Sequence, residues 1–348
     1  MIDFRLKYEI DFFKQLIQPI RFKMPILKSQ LTTKFPFRNP HVNTLYKFFA
    51  NKEKPTYQRK RITTWDNDFI DLDFLTSDSF SAVLLIHGLE GSSESSYICS
   101  TANYLRDQGY DVIAMNLRSC SGEDNNILKT YHAGKTDDVN FVVNYLIENY
   151  NYTDLVLCGF SLGGNLILKY LGEYNQSVPS SIKGGIAVSV PIDLTSAQAE
   201  LSKLKNKIYM KEFLRTLKSK VILKSQKFPD YNPDKKLIAK ASTFRDFEEI
   251  YTAPVFGFDG PEDYWAKASS KPYLSSINHK TLLINAKDDS FLSIDCYPYE
   301  IAESSENFYL MTPKYGGHVG FVSTFNDEVF WIENQIVSFI QNQLNTYS

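Results

Sequence analysis

Short apolar runs alternate with longer stretches of helical periodicity along most of this chain. Residues 57–64 and 68–75 alternate in character on either side of Asp66-Asn67, which predicts an antiparallel hairpin. Beyond it come six compact apolar runs: Ala82–Ile86, Asp111–Met115, Leu155–Phe160, Ile186–Val190, Thr281–Ile284 and Phe308–Met311. Helix-like stretches near 95–108, over 136–149 and over 162–172 separate the first of these runs. Val329, Ile332, Ile336, Ile340 and Leu344 mark one face of a closing helix. Strands apolar on both sides have to be covered on both faces, so the pattern predicts an α/β class. The expected sheet is mostly parallel, eight-stranded with an antiparallel edge from the hairpin, and flanked by helices.

The alternation breaks once. Residues 191–275 lie between two predicted core strands and read as mostly helical and strongly charged. The expected organisation is therefore a core of 56–190 and 276–348, a helical lid over 191–275, and a helical extension over 1–55. Such a lid would cover the carboxyl ends of the strands, where open α/β sheets bind ligands. With 43% hydrophobic residues among 348, the chain can fill a large core. A formal net charge of −2 gives no reason to expect nucleic acid as a partner. Cys99, Cys120, Cys158 and Cys296 show neither metal-ligand nor disulfide-scaffold spacing, so no metal is expected and a reducing cytoplasm fits. No run approaches the ~18 apolar residues of a membrane span.

The chemistry is carried by Gly159-Phe160-Ser161-Leu162-Gly163. This G-x-S-x-G closes an apolar run and opens a helix, the strand–turn–helix setting of a nucleophile elbow. Glycines at both flanking positions suit a turn too tight for side chains, and the helix behind Ser161 directs N–H groups at the reacting centre. A serine hydroxyl needs a base, and on this scaffold the order along the chain is Ser, acid, His. Of five histidines, His318 follows the last strand on a glycine-rich loop, whereas His279 precedes a strand, at its wrong end. The acid should leave the preceding strand, where Asp288 and Asp289 both stand. Asp289 is preferred for the Asp289-Ser290-Phe291-Leu292 pattern, with Asp288 as the competitor. Acyl transfer also needs two oxyanion donors, expected from the backbone N–H groups of Leu162 and of Leu89 in His87-Gly88-Leu89-Glu90-Gly91. No organic cofactor is required by this chemistry.

These residues sit among others that carry a family likeness. They are Arg38-Asn39-Pro40-His41, His87 to Ser92, Asn116-Leu117-Arg118-Ser119-Cys120-Ser121-Gly122, Tyr131-His132-Ala133-Gly134, the elbow with Gly164 and Asn165, and Asn285 to Asp289. In this set the chain resembles the YheT-like branch of the α/β-hydrolases. The resemblance implies the α/β-hydrolase fold and cofactor-free hydrolysis of carboxylic esters with short or medium acyl chains. Some relatives act on phospholipids. Ser119 stands where the group usually has glycine.

Several signals leave alternatives open. His87, Gly88, Arg118, Tyr131 and His132 are candidate substrate contacts. His87 also reads as a structural loop residue, Arg118 as one half of an ion pair, and Tyr131 and His132 as loop anchors. Residues 200–227 hold nine lysines and arginines against Glu200 and Glu212, interleaved with Leu201, Leu204, Ile208, Phe213, Leu214 and Leu217. That segment suits either peripheral contact with an anionic membrane or, preferred, a solvated helix whose apolar stripe packs on the core. The small-molecule partner expected is an acyl ester. Thioesterase, amidase and lysophospholipase chemistry remain open on the same scaffold, as does a non-catalytic binding role.

Overall fold

The computed structural model describes residues 25–49, 53–231 and 233–344. Nine strands form one sheet: β1 (Ile26–Leu27), β2 (Gln58–Thr63), β3 (Phe69–Leu75), β4 (Ser81–Ile86), β5 (Asp111–Asn116), β6 (Asp154–Phe160), β7 (Ile182–Val188), β8 (Lys280–Ile284) and β9 (Phe308–Met311). Their order is β1-β9-β8-β7-β6-β4-β5-β3-β2. β2 and β3 pair antiparallel, as does β3 with β5, and every other pairing is parallel. The mostly parallel sheet with a hairpin edge matches the pattern in the sequence, but it has nine strands, not eight. The addition is β1, whose two residues pair with Leu310 and Met311 at the far edge. A two-residue strand leaves no periodicity to read.

Alternation along the central strands explains why they are apolar throughout. Ala82, Leu84 and Ile86 of β4 join one core cluster, while Val83 and Leu85 join the other. In β6, Leu155 and Leu157 face the first cluster, and Val156, Cys158 and Phe160 the second. Helices α1 (Pro40–Phe49), α2 (Ser96–Asp107), α3 (Thr136–Asn149) and α4 (Leu162–Tyr174) precede the inserted segment. α3 and α4 cover the first face, and α2 shares the second with a late helix over Trp331–Phe339. The expected N-terminal helical extension is helical only over α1 among its described residues, and 1–24 lie outside them. α1 begins where Asn39 Oδ1 accepts the N–H groups of His41 and Val42, with Pro40 at the first helical position.

Between β7 and β8 run α5 (Leu194–Leu201), the long α6 (Lys207–Lys227), α7 (Lys235–Lys240), α8 (Phe244–Phe247), a π-turn over Glu248–Thr252, α9 (Ala253–Phe256) and α10 (Pro261–Ala268). This segment has a small core of its own, built on Met210, Leu214, Val221, Phe244, Phe247 and Tyr251.

Arg118 proves to be a structural post rather than a substrate contact. Its side chain is fully buried, with Nη1 2.8 Å from both Asp66 and Asp68 and Nη2 2.7 Å from Asp138. It therefore ties the hairpin turn to α3. Four groups brought together from three parts of the chain cannot be read off a linear sequence. Replacing Arg118 by Met leaves Asp68 buried without its cation and Asp138 with only Lys135, at 3.5 Å. We expect a loss of about 3–5 kcal/mol in urea unfolding. Unchanged stability with an altered KM would instead return Arg118 to the substrate site.

Candidate active site

β6 ends in a turn on which Ser161 adopts φ 52° and ψ −118° before α4 begins. The flanking glycines have a steric reason. A Cβ on Gly163 would lie 2.3 Å from the Ile86 carbonyl oxygen. On Gly159 it would be about as close, 2.4 Å from that of Gly163. Only bare backbone lets the start of α4 approach the end of β4, and that approach sets Ser161 beside Gly88.

His318 arrives on the loop after β9. Its Nε2 lies 3.0 Å from Ser161 Oγ and its Nδ1 2.8 Å from Asp289 Oδ2. The tautomer with a proton on Nδ1 satisfies both contacts: Ser161 donates to the ring, and the ring donates to Asp289. Asp289 is buried, and its Oδ1 accepts the N–H of Phe291 at 2.9 Å. Asp288 does different work, accepting the Gly317 N–H at 2.9 Å. Burial pushes its carboxyl up to about 6. Of the two neighbouring carboxylates, Asp289 is the one against the imidazole.

The N–H groups of Leu89 and Leu162 donate to no acceptor among the described residues, and both residues line the cavity next to Ser161. For Leu162 this follows from its place as the first residue of α4. The walls of the cavity are mainly apolar: Leu162, Ala197, Leu201, Phe213 and Trp265 among others. Tyr131 and His132 line it as expected of substrate contacts. Tyr131 Oη donates to Glu90 Oε1 at 2.7 Å, and burial pushes the His132 imidazole down to about 3, leaving it neutral.

His87 and Gly88 were also expected to touch substrate, and they do not line the cavity. The His87 ring is buried, its Nδ1 2.7 Å from the Gly88 carbonyl, and its Nε2 accepts the Leu117 N–H at 3.1 Å. Burial pushes its pKa down to about 4, so it is a neutral brace between two loops. Gly88 donates its N–H to Tyr97 Oη at 2.9 Å, and its importance is steric.

The basic segment is partly turned inward. Lys224 is fully buried on Asp124 and the Ile127 carbonyl, Lys220 pairs with Glu90 at 2.8 Å, and Arg215 pairs with Glu212. Leu204 and Ile208 stay exposed. No group of three or more His, Cys, Asp or Glu among the described residues is placed to hold a metal, and no described helix is long and apolar enough to cross a membrane.

The sequence gives no hint of how the His318 loop is held. Thr44 Oγ1, on α1, accepts the His318 N–H at 2.8 Å, and Ser189 Oγ accepts the Val319 N–H at 2.9 Å. Asn43 is wholly buried and bonds Val322 through both its Nδ2 and its Oδ1. Phe291 stacks on the imidazole at 4.2 Å between ring centroids. The stretch Arg38–His41 entered only as part of the family likeness, and nothing in one dimension joins position 44 to position 318.

A chain with this sheet order, this turn and this site has the architecture of one large family. A model of the α/β hydrolase fold matches residues 81–323, and the chain belongs to that family. It is 28% identical over 319 residues to YheT of Escherichia coli (strain K12), covering 90% of this chain and 93% of that one. It is also 28% identical over 299 residues to the human protein named phospholipase ABHD3, covering 81% and 73% of the two chains. Among solved structures, an esterase of Pyrococcus furiosus, Pf2001, superposes with a TM-score of 0.56 at 19% identity, over 83% of this chain and 91% of that one. The likeness to the YheT-like branch is thus shown, and the Pyrococcus structure supports the fold.

Loss of the Thr44 acceptor should loosen the His318 loop without touching the cavity. A hydrogen bond worth ~1 kcal/mol converts to a roughly fivefold fall in kcat for Thr44→Val, with KM unchanged and Thr44→Ser restoring the rate. Steady-state kinetics on any turned-over ester reads this. An equal loss in Thr44→Ser would show that the oxygen does not act through the loop.

Proposed function

We propose that this protein is a serine-dependent carboxylic-ester hydrolase acting through an acyl-enzyme. The observation that carries the reading is the continuous chain from buried Asp289 through His318 to Ser161 Oγ, which shares its cavity with two backbone N–H groups that have no acceptor among the described residues. His318 takes the Ser161 proton as the oxygen attacks the ester carbonyl. The developing oxyanion is met by Leu89 and Leu162 N–H, and Asp289 orients the imidazole and stabilises its cation. His318 then protonates the leaving alcohol, and in the second half it activates water to release the acid.

The apolar wall facing Ser161 suits an acyl chain of short to medium length, and residues 191–275 act as the cap that selects it. A phospholipase or lysophospholipase reading of the same site is favoured by the name of the human relative. It differs in the alcohol released, not in the chemistry. Four cysteines buried and unpaired agree with a reducing, cytoplasmic setting.

The test is hydrolysis of p-nitrophenyl esters from acetate to palmitate. We expect an optimum at short or medium chains. Ser161→Ala should lose at least about a thousandfold in kcat, and Asp289→Asn a comparable factor. Asp288→Asn should stay close to wild type, because an amide oxygen still accepts the Gly317 N–H. Rates in Ser161→Ala equal to wild type would remove the acyl-enzyme reading.

A further inference from the structure

Two carboxyl groups line the cavity shared with Ser161, and they are kept very differently. Glu90 is paired with Lys220 at 2.8 Å and receives the Tyr131 hydroxyl. Glu248 has no cation within ion-pairing distance among the described residues. One of its oxygens, Oε2, accepts the Trp265 Nε1–H at 2.5 Å, and the other has no partner among the described residues. Desolvation in this wall pushes its pKa up to about 8, so at neutral pH the carboxyl is mostly protonated and can donate.

Glu248 is half-buried and lines a mainly apolar cavity, where a carboxyl oxygen that no group among the described residues engages is placed to orient a bound molecule. Its neighbours on the wall are Phe244, Phe247 and Trp265, with Leu201 and Ala197 contributed by α5. It opens the π-turn Glu248–Thr252, an insertion into the helical course of a kind often found at functional sites.

We infer that Glu248 is a specificity-determining contact: its unpaired carboxyl oxygen hydrogen-bonds an uncharged oxygen function, a hydroxyl or carbonyl, on the substrate chain held in this cavity. The preferred substrate is then an ester bearing a second, neutral oxygen along its chain rather than a plain alkanoate. A site built to hydrogen-bond such a group discriminates against the analogue lacking it, because a plain chain filling the cavity would cover the carboxyl and leave it unpaired. The inference rests on the ester-hydrolase reading for the identity of the reacting group, not for the contact.

The test uses p-nitrophenyl esters in matched pairs of equal chain length, plain and hydroxyl-substituted, with the hydroxyl moved along the chain. The full-length wild type should favour one hydroxylated isomer by at least about tenfold in kcat/KM. Glu248→Met should reverse or abolish that ratio, and Glu248→Gln, which still donates, should keep most of it. A wild-type ratio of one or below at every hydroxyl position overturns the inference, and so does an unchanged ratio in Glu248→Met. The ratio within a pair is read whatever the absolute rate, and the wild-type ratio stands even where a variant does not fold. Calorimetric binding of the same pairs to Ser161→Ala separates the two claims. A preference in binding with no turnover by the wild type sinks the hydrolase reading and keeps the contact, whereas equal affinities sink the contact alone.

Discussion

The backbone of Ser161 is the constraint on which the rest of the site depends. A non-glycine residue at φ 52° stores of the order of 1–3 kcal/mol, and it persists only where the surroundings over-determine it. Here they do. The Ser161 N–H is tied to the Val188 carbonyl at 2.8 Å, and its own carbonyl accepts the Asn165 N–H at 3.1 Å as α4 begins. Gly159 and Gly163 bring α4 against the end of β4. The same turn therefore lifts the Ser161 side chain out of the sheet, points the Leu162 N–H at the cavity, and sets the Leu89 loop alongside.

The second half of the site is assembled from farther away. The His318 loop has positive φ at Gly317, Val319 and Phe321, and it has no helix or strand of its own. Its stability comes from outside: Thr44 and Asn43 on α1, Ser189 after β7, and Asp288 after β8. The aromatic contacts extend the frame. Phe291 stacks on His318, Tyr209 of α6 packs edge-on against Phe291, and the His41 ring stacks on Tyr209. An element outside the expected core and one from the inserted segment thus converge on a single imidazole. That convergence gives both a physical stake in the chemistry.

What could be read from the sequence is what is encoded locally. The apolar strands and the G-x-S-x-G turn are short-range patterns with steric causes, and the sheet order, the turn and the family membership agree with them. Asp289 and His318 were named from their positions after strands, and the structure brings them to Ser161. What escaped has long-range causes. Arg118 could be read either as a substrate contact or as one half of an ion pair, and the choice could not be made because its three carboxylates sit 20 to 52 residues away in the chain. For His87, read both as a substrate contact and as a structural loop residue, only the fold decides: its ring is bonded on both sides and does not line the cavity. The two-residue β1 has no pattern to detect, and Glu248 looked like one acid among many in a charged segment. Only packing reveals that no cation among the described residues pairs with it.

The central claim is that Ser161 is a nucleophile made reactive by His318, and covalent trapping tests it most directly. The folded protein would be treated with a fluorophosphonate, and the adduct mapped by mass spectrometry of its peptides. The account predicts one adduct per chain, on Ser161, absent in Ser161→Ala and formed far more slowly in His318→Ala. A folded protein that stays unlabelled, or labels elsewhere at the same rate in Ser161→Ala, would contradict it.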